Sequence, residues 1–251
     1  MASTPRKSTS INNSSPARPV IRLHFKCENT QRMGAFKARG TFHAIERLLQ
    51  EPGWVKNGGK EKGVVGFGSG NHAQALALAA TDKGIKSYIV MPGTTRPNKI
   101  AATKGYGAEV IFSGPQFEDR EVVAAKVVND TGARLVPPHD HPDIILGQAT
   151  AGLEFQQQVK DLDAIFPLAA AEVCFLALLL AARPLIFGFL ALSRNSRAQT
   201  MGGEDTILAQ ESQSSHPWSI IYERRLVSGM YAVSEEEIVE ATKLMLERLK
   251  I

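Results

Sequence analysis

Lys37 is the residue of this sequence with the clearest potential for chemistry. It lies in the stretch QRMGAFKARG, directly after Phe36 and three residues after Gly34, where a helical spacing of apolar residues begins. Partial burial beside apolar groups favours the neutral, nucleophilic form of an amine, and a helix N-terminus disfavours a further positive charge. These features indicate an amine that can attack a carbonyl compound. For a lone lysine, a surface side chain extending from a helix start is the commoner explanation.

A second candidate is the glycine-bearing stretch GFGSGN, which covers residues 66–71. It joins a short apolar strand to an alanine-rich helix, so the free N–H groups of the first helical turn could bind an anion. Gly68 and Gly70 would let a ligand approach the backbone closely, and Ser69 and Asn71 add a hydroxyl and an amide at the same rim. A plain strand-to-helix turn with Ser69 or Asn71 as its N-cap is equally compatible with the spacing.

Strand-like and helix-like segments alternate from about residue 20 to residue 154. The predicted strands are VIRLHFKCE, KGVVGFGSG, KSYIVMP, AEVIFSG and ARLVPP. The predicted helices are AFKARGTFHAIERLLQ, NHAQALALAATDKG, RPNKIAATKGYG, QFEDREVVAAKVVNDTG and PDIILGQATAGLEFQQQV. This alternation predicts an α/β fold with a mostly parallel sheet and ligands at the carboxyl ends of its strands. Near the end of the chain, VSEEEIVEATKLMLERL predicts an amphipathic helix with a capping box between Ser234 and Glu237.

The composition is typical of a soluble globular protein, with 43% hydrophobic and 22% charged residues in 251 positions. The net charge of +4 is spread along the chain, so no nucleic-acid-binding surface is indicated. Cys27 and Cys174 provide neither a disulfide framework nor a metal-binding spacing, and a reducing, cytoplasmic location is therefore expected. Residues 1–20, rich in Ser, Thr, Asn and Pro, are predicted to be a disordered tail, with a transit peptide as the alternative.

Four segments together resemble one known family. FKCENTQRMGAFKARG, GSGNHAQALALAA, MPGTTRPNKIAATKGYGAEVIFSG and RLVPPHDHPDIILGQATAGLE are similar to the serine racemase, serine/threonine dehydratase and hydroxyaspartate ammonia-lyase family. These are pyridoxal-phosphate enzymes of the tryptophan synthase β-like fold, a three-layer αβα architecture with parallel-rich sheets. The resemblance implies a large cofactor domain formed by residues 21–62 and 142–251, and a small mobile domain formed by residues 63–141.

The resemblance also implies roles for particular residues. The lysine that matches Lys37, beside Phe36, would hold pyridoxal 5'-phosphate as an internal aldimine. Ser69 would be the acid/base on the opposite face of the cofactor, and Asn71 would hydrogen-bond the phenolic oxygen of the pyridoxal ring. The segment expected to bind the substrate carboxylate consists of Ser69, Gly70, Asn71 and His72. The implied reactions are racemisation, or β-elimination with release of ammonia, of serine, threonine or 3-hydroxyaspartate, and a homodimer is the expected assembly.

The sequence departs from the family over residues 164–215. A glycine run that cradles the cofactor phosphate should follow QQQVKDLDAI, but the chain continues FPLAAAEVCFLALLLAARPLIFGFLALSRNSRAQ. Codons for Ala-Ala-Ala-Glu-Val-Cys-Phe-Leu-Ala, read one base earlier, can encode Cys-Gly-Gly-Gly-Gly-Leu-Leu-Ser-Gly. We therefore hypothesise that this segment is a frame-shifted translation, which requires glycine codons in the displaced frame. The family's glycine/serine segment at the pyridine nitrogen and its acidic divalent-cation site are not recognisable either, so no metal site is expected.

These departures leave alternatives open. The fold would be incomplete, and the chain could be an inactive remnant, a pseudoenzyme or a gene-model artefact. The apolar stretch VCFLALLLAARPLIFGFLAL is interrupted by Arg183 and Pro184, and each half is shorter than the roughly 20 residues that a spanning helix needs, so a buried helix or an exposed patch is preferred to a membrane span. A nucleotide-binding module built on GFGSGN lacks an acidic residue after the second strand, where residues 90–92 are Val, Met and Pro.

Overall fold

The computed structural model describes residues 21–165, 186–192 and 229–249. The helices are α1 (Lys37–Gln50), α2 (Gly59–Lys62), α3 (Asn71–Asp82), α4 (Pro97–Gly105), α5 (Phe117–Thr131), α6 (Pro142–Gln158) and α7 (Glu235–Leu244). The strands are β1 (Val64–Phe67), β2 (Ser87–Pro92), β3 (Glu109–Ser113), β4 (Arg134–Leu135), β5 (Ala164–Ile165), β6 (Ile186–Leu192) and β7 (Gly229–Val233). The predicted capping box at Ser234 and Glu237 is present at the start of α7.

The first sheet contains four parallel strands in the order β3-β2-β1-β4. Val64 on the central strand β1 pairs with Ser87 on one side and with Arg134 on the other. Every residue of β1 and β2 is buried, which is why both strands are almost continuously apolar in the sequence. Because the strands are parallel, the loops after β1 and β4 leave the sheet at the same edge. The predicted α/β fold with a parallel sheet is therefore confirmed.

The second sheet contains β5, β6 and β7 in that order, again all parallel. Its central strand is IFGFLAL, the second half of the apolar stretch for which a buried helix or an exposed patch was preferred to a membrane span. The helix is wrong for residues 186–192, which form a strand: Ile186 and Phe187 pair with β5, and Gly188 to Leu192 pair with β7. The described residues do not include the first half of this apolar stretch. They also do not include the segment expected to lack the phosphate-binding glycines, or the predicted tail of residues 1–20.

The predicted strand VIRLHFKCE is also wrong. Its described part, from residue 21, contains only an isolated bridge at Arg22, and short 3₁₀ turns follow at Glu28–Thr30 and Arg32–Gly34. The segment is held by side chains instead of a ladder of strand hydrogen bonds. Lys26 forms an ion pair with Glu154 on α6, and Glu28 forms one with Arg39 on α1. Alternating apolar residues in a sequence do not show whether a segment is held by strand hydrogen bonds or by side-chain ion pairs.

Two glycines allow α1 and α6 to pack almost backbone to backbone. A Cβ added at Gly147 would lie 2.6 Å from the Cα of Gly40 and 2.7 Å from the main-chain oxygen of Arg39. A Cβ at Gly40 would lie 2.9 Å from the main-chain oxygen of Ile144. The same helices contribute Ile45 and Ile144 to the main apolar core, and both of these side chains are fully buried. The glycine contact therefore fixes how closely the two helices approach.

Substitution of Gly147 should reveal this constraint. Gly147→Ala forces a methyl group against the backbone of α1, so we expect the free energy of unfolding to fall by about 1–3 kcal/mol, as in overpacked cores. Gly105→Ala, at the end of α4 where an added Cβ meets open space, is the matched control and should be neutral or slightly stabilising. Urea unfolding monitored by circular dichroism measures both. Equal stability of the two variants would contradict the proposed contact.

Candidate active site

Lys37 is the first residue of α1, as the sequence predicts. Its Nζ donates a hydrogen bond to the main-chain oxygen of Pro138 at 2.7 Å, and it lies 5.4 Å from the centre of the Phe36 ring. Pro138 follows β4, so the amine lies beyond the carboxyl end of the parallel sheet. The turn before the helix has positive φ angles at Met33 and Gly34, a conformation that glycine adopts more readily than methionine. The half-buried position excludes a fully solvated surface lysine.

Residues 68–70 form the loop between β1 and α3. Gly68 has a φ of +135°, and a Cβ added at Gly68 or at Gly70 would meet no atom of the described structure within 4 Å. Gly70 is the N-cap of α3, so the alternative in which Ser69 or Asn71 caps the helix is wrong. Gly70 has no side chain that could accept a hydrogen bond from the backbone N–H groups of the first helical turn. The N–H of Gly68 donates to the main-chain oxygen of Val90 at 2.9 Å, whereas the N–H groups of the first turn of α3 have no intrahelical acceptor. This first turn begins next to the open space, an arrangement that suits an anionic ligand.

His72 lies in the first turn of α3 and is buried. Its Nε2 is 3.0 Å from the main-chain oxygen of Val136, and because a carbonyl only accepts, Nε2 must carry the proton. Its Nδ1 is buried without a hydrogen-bond partner among the described residues. Burial, and next the nearby charge of Lys37, lower the pKa of His72 to about 3, with a smaller contribution from His139 and against the effect of the hydrogen bond to Val136. The imidazole is therefore neutral at physiological pH.

The structure thus brings two of the predicted residues together in space. Lys37 and His72 come from different helices, yet both reach the segment of residues 136–138. Ser69 lies within the open loop and is half-buried, and Asn71 is the first residue of α3 and is exposed. The imidazole of His72 is directed at Val136 in the core, so its backbone N–H is the group that remains for a ligand in the loop.

Sequence reasoning missed the groups that hold these residues. The main-chain acceptors at Val136 and Pro138 were not identified, although the proline pair directly after a strand was a usable sign of a rigid connection. Arg39 was also missed. Its guanidinium donates two hydrogen bonds of 2.8 Å to Glu28 and one of 2.6 Å to Glu154, and so ties the chain ahead of Lys37 to both α1 and α6. A charge pair across 115 residues has no local signature in the sequence.

A parallel sheet with a half-buried lysine beyond its carboxyl edge, and an open glycine loop at a helix N-terminus on the same edge, is typical of α/β proteins that bind a ligand at that edge. Comparison with known proteins identifies the family. The model of the family described as "Pyridoxal-phosphate dependent enzyme" matches residues 7–171. The chain belongs to this family of pyridoxal-phosphate dependent enzymes.

Relatives of established activity are similar over most of their length. An L-threo-3-hydroxyaspartate ammonia-lyase of Saccharomyces cerevisiae is 35% identical over 91% of this chain and 72% of its own. A serine racemase of Schizosaccharomyces pombe is 35% identical over 92% of this chain and 74% of its own. The crystal structure of a serine racemase from Dictyostelium discoideum superposes with a TM-score of 0.76 at 31% identity, covering 92% of this chain and 76% of that one. The fold is therefore the tryptophan synthase β-like fold of these enzymes.

The described residues fit the aldehyde end of pyridoxal phosphate. The cofactor needs a primary amine, which Lys37 supplies, and open space at the same edge of the sheet, where a Cβ added at Gly68 or at Gly70 would meet no described atom within 4 Å. The segment expected to meet the phosphate lies outside the described residues. Within the described ranges, no three His, Cys, Asp or Glu side chains cluster closely enough to hold a metal ion, and no helix is long and apolar enough to span a membrane.

The buried neutral His72 should make stability depend on pH. The folded chain keeps this imidazole neutral down to about pH 3, beside Lys37 and His139, whereas the ordinary pKa is 6.5. The unfolded chain therefore binds more protons between these values, so acidification through this window destabilises the fold by about 1.4 kcal/mol per pH unit. Between pH 7 and pH 5 the loss is about 2 kcal/mol.

His72→Gln provides the comparison, because glutamine does not titrate and the other ionisable groups are retained. We expect the free energy of unfolding, measured with urea at pH 7 and at pH 5, to fall more in the unsubstituted chain than in the variant. Identical losses in both proteins would show that His72 is not held neutral.

Proposed function

We propose that this chain is a pyridoxal-phosphate dependent racemase or ammonia-lyase that acts on serine, threonine or 3-hydroxyaspartate. The observation that carries the proposal is the hydrogen bond from the Lys37 amine to Pro138, beyond the carboxyl end of the sheet and at the same edge as the open loop at Gly68 and Gly70. The hydroxy amino acids are those named for the similar ammonia-lyases and racemases. Family membership supports the cofactor.

The residues that would hold the cofactor surround the start of α1 and the start of α3. Lys37 would bind its aldehyde carbon as a Schiff base, with the Phe36 ring beside the amine, and Asn71 would donate to the phenolic oxygen from the rim of the loop. When bound, pyridoxal phosphate withdraws electrons from the substrate Cα and so makes the Cα–H bond acidic. A divalent cation is not part of the proposal.

The remaining steps belong to the chain itself. Ser69, Gly70, Asn71 and His72 would bind the substrate carboxylate, since the N–H groups of a helix N-terminus favour an anion. The amine of Lys37, freed when the substrate amino group takes its place on the aldehyde carbon, would remove the proton from Cα on one side, and the hydroxyl of Ser69 would hold or return a proton on the other. Return at Cα from the opposite side gives racemisation. If hydroxide instead leaves Cβ and departs as water with a proton, the resulting enamine takes up one water and releases ammonia and a keto acid.

The domain division and the assembly are also proposals. We assign residues 63–141 to a small mobile domain that closes over the substrate and excludes water, with residues 21–62 and 142–251 forming the cofactor domain, and we place the protein in the cytoplasm. We further propose a homodimer. Leu146 and Leu153, two turns apart on the outer face of α6, are 53% and 46% exposed, and an apolar stripe of this kind favours contact with a second copy.

Replacement of Lys37 tests cofactor binding directly. Added pyridoxal phosphate should give the unsubstituted chain the visible absorption band of a lysine-linked cofactor, and Lys37→Ala should abolish it, because it removes the amine that the proposal assigns to the cofactor. Lys126→Ala, which removes an exposed lysine of α5, is the control and should keep the band. A chain that stays colourless and releases no ammonia from serine would support the alternative of an inactive remnant.

Replacement of Ser69 separates the two reactions. Ser69→Ala should lower the rate of D-serine formation from L-serine by about 10²–10⁴-fold, the usual contribution of a positioned acid/base, while the visible band is retained. Ser113→Ala on β3 is the control and should leave both the rate of D-serine formation and the visible band unchanged. Chiral chromatography measures the product enantiomers and an ammonia assay measures elimination. Undiminished racemisation in Ser69→Ala would remove this serine from the mechanism.

A further inference from the structure

Two side chains from different helices converge on one short piece of main chain. His72 on α3 contacts the oxygen of Val136 at 3.0 Å, and Lys37 on α1 donates to the oxygen of Pro138 at 2.7 Å. The two acceptors are separated by only one residue, Pro137. The position of one carbonyl therefore constrains the position of the other.

The segment between these acceptors is stiff. Pro137 and Pro138 each have a φ fixed by the pyrrolidine ring, and neither has an N–H group with which to make an alternative hydrogen bond. Val136 is held on its other side, because its N–H donates to the oxygen of Val65 on β1 at 2.8 Å. A displacement of the Val136 carbonyl group would therefore produce a similar displacement of the Pro138 carbonyl group.

The contact between His72 and Val136 depends on a glycine in the central strand. A Cβ added at Gly66 would lie 2.5 Å from Leu76 Cδ2, 3.2 Å from the oxygen of Val136 and 3.4 Å from Nε2 of His72. The bare backbone of β1 at Gly66 is thus what lets the imidazole lie alongside the strand and reach the neighbouring one. The hydrogen bond between His72 and Val136 is consequently enclosed by β1, by α3 and by the segment that follows β4.

The imidazole makes a single hydrogen bond among the described residues. Nε2 contacts Val136, whereas Nδ1 is buried without a partner. The orientation of the ring is therefore set by Nε2 alone. Since the ring is neutral, it places no second positive charge beside the amine of Lys37.

We propose that His72 is a positioning residue for Lys37: its Nε2–H holds the carbonyl of Val136, and through the proline pair this fixes the carbonyl of Pro138 that receives the amine. The inference rests on the role of Lys37 in the proposed function, but it concerns the chain before cofactor is bound. It gives the side chain of His72 a role separate from the backbone contact expected for the substrate carboxylate.

Competitive acylation of the full-length chain without added cofactor tests the proposal. Lys37 and the exposed Lys126 are labelled with acetic anhydride, and mass spectrometry gives the ratio of their rates. In His72→Asn the side-chain amide is too short to reach Val136, so we expect Lys37 labelling to rise about fivefold relative to Lys126, equivalent to about 1 kcal/mol of lost hydrogen bonding. In His72→Gln the amide nitrogen can take the place of Nε2, and the ratio should return to within about twofold of the original.

Two labelling results would overturn the proposal. One is an unchanged ratio in His72→Asn, and the other is an equal rise at Lys37 and Lys126, which would indicate general loosening. If the variants do not fold, nitrogen-15 NMR of the unsubstituted chain decides instead. A slowly exchanging proton on Nε2 of His72 is expected, and a proton on Nδ1 would exclude the contact with Val136. Neither measurement requires cofactor, so a colourless chain would contradict the proposed function without affecting this result.

Discussion

The close approach of α1 and α6 is the constraint on which the rest of the site depends. Gly40 and Gly147 bring the two helix backbones into contact, and no side chain could be inserted at either position without moving a helix. This contact fixes the axis of α1, and Lys37 begins that helix one turn before Gly40. The ion pairs of Arg39 with Glu28 and Glu154 then hold the incoming chain against the same pair of helices. The amine is thus placed by packing that extends well beyond its immediate neighbours.

The sequence predicted those features that depend on local pattern. The alternation of strands and helices predicted the parallel α/β fold, and the spacing of apolar residues placed Lys37 at a helix start. The glycines at positions 68 and 70 correctly marked an open loop before a helix. Each of these signals is contained within about 20 residues, which is the range over which periodicity and turn chemistry act.

The remaining features depend on partners that are distant in the sequence. The acceptor of the Lys37 amine is 101 residues away, and the acceptor of the His72 imidazole is 64 residues away. The stretch IFGFLAL could not be recognised as a strand from its apolar run, because a buried helix has the same composition and only its pairing with β5 and β7 decides. The frame-shift hypothesis and the loss of the phosphate-binding glycines stay predictions, and the segment concerned lies outside the described residues.

The apolar core has a consequence for how the site could open and close. Ile45 and Leu48 of α1 and Ile144 of α6 belong to the same buried cluster as Leu76 of α3 and Ile89 of β2. No polar boundary separates the helices that flank the four-stranded sheet from the sheet itself. A hinge that opened a gap between them would expose this cluster to water. The movement proposed for residues 63–141 would therefore take the form of shear, in which the layers slide by small steps while their apolar surfaces stay in contact.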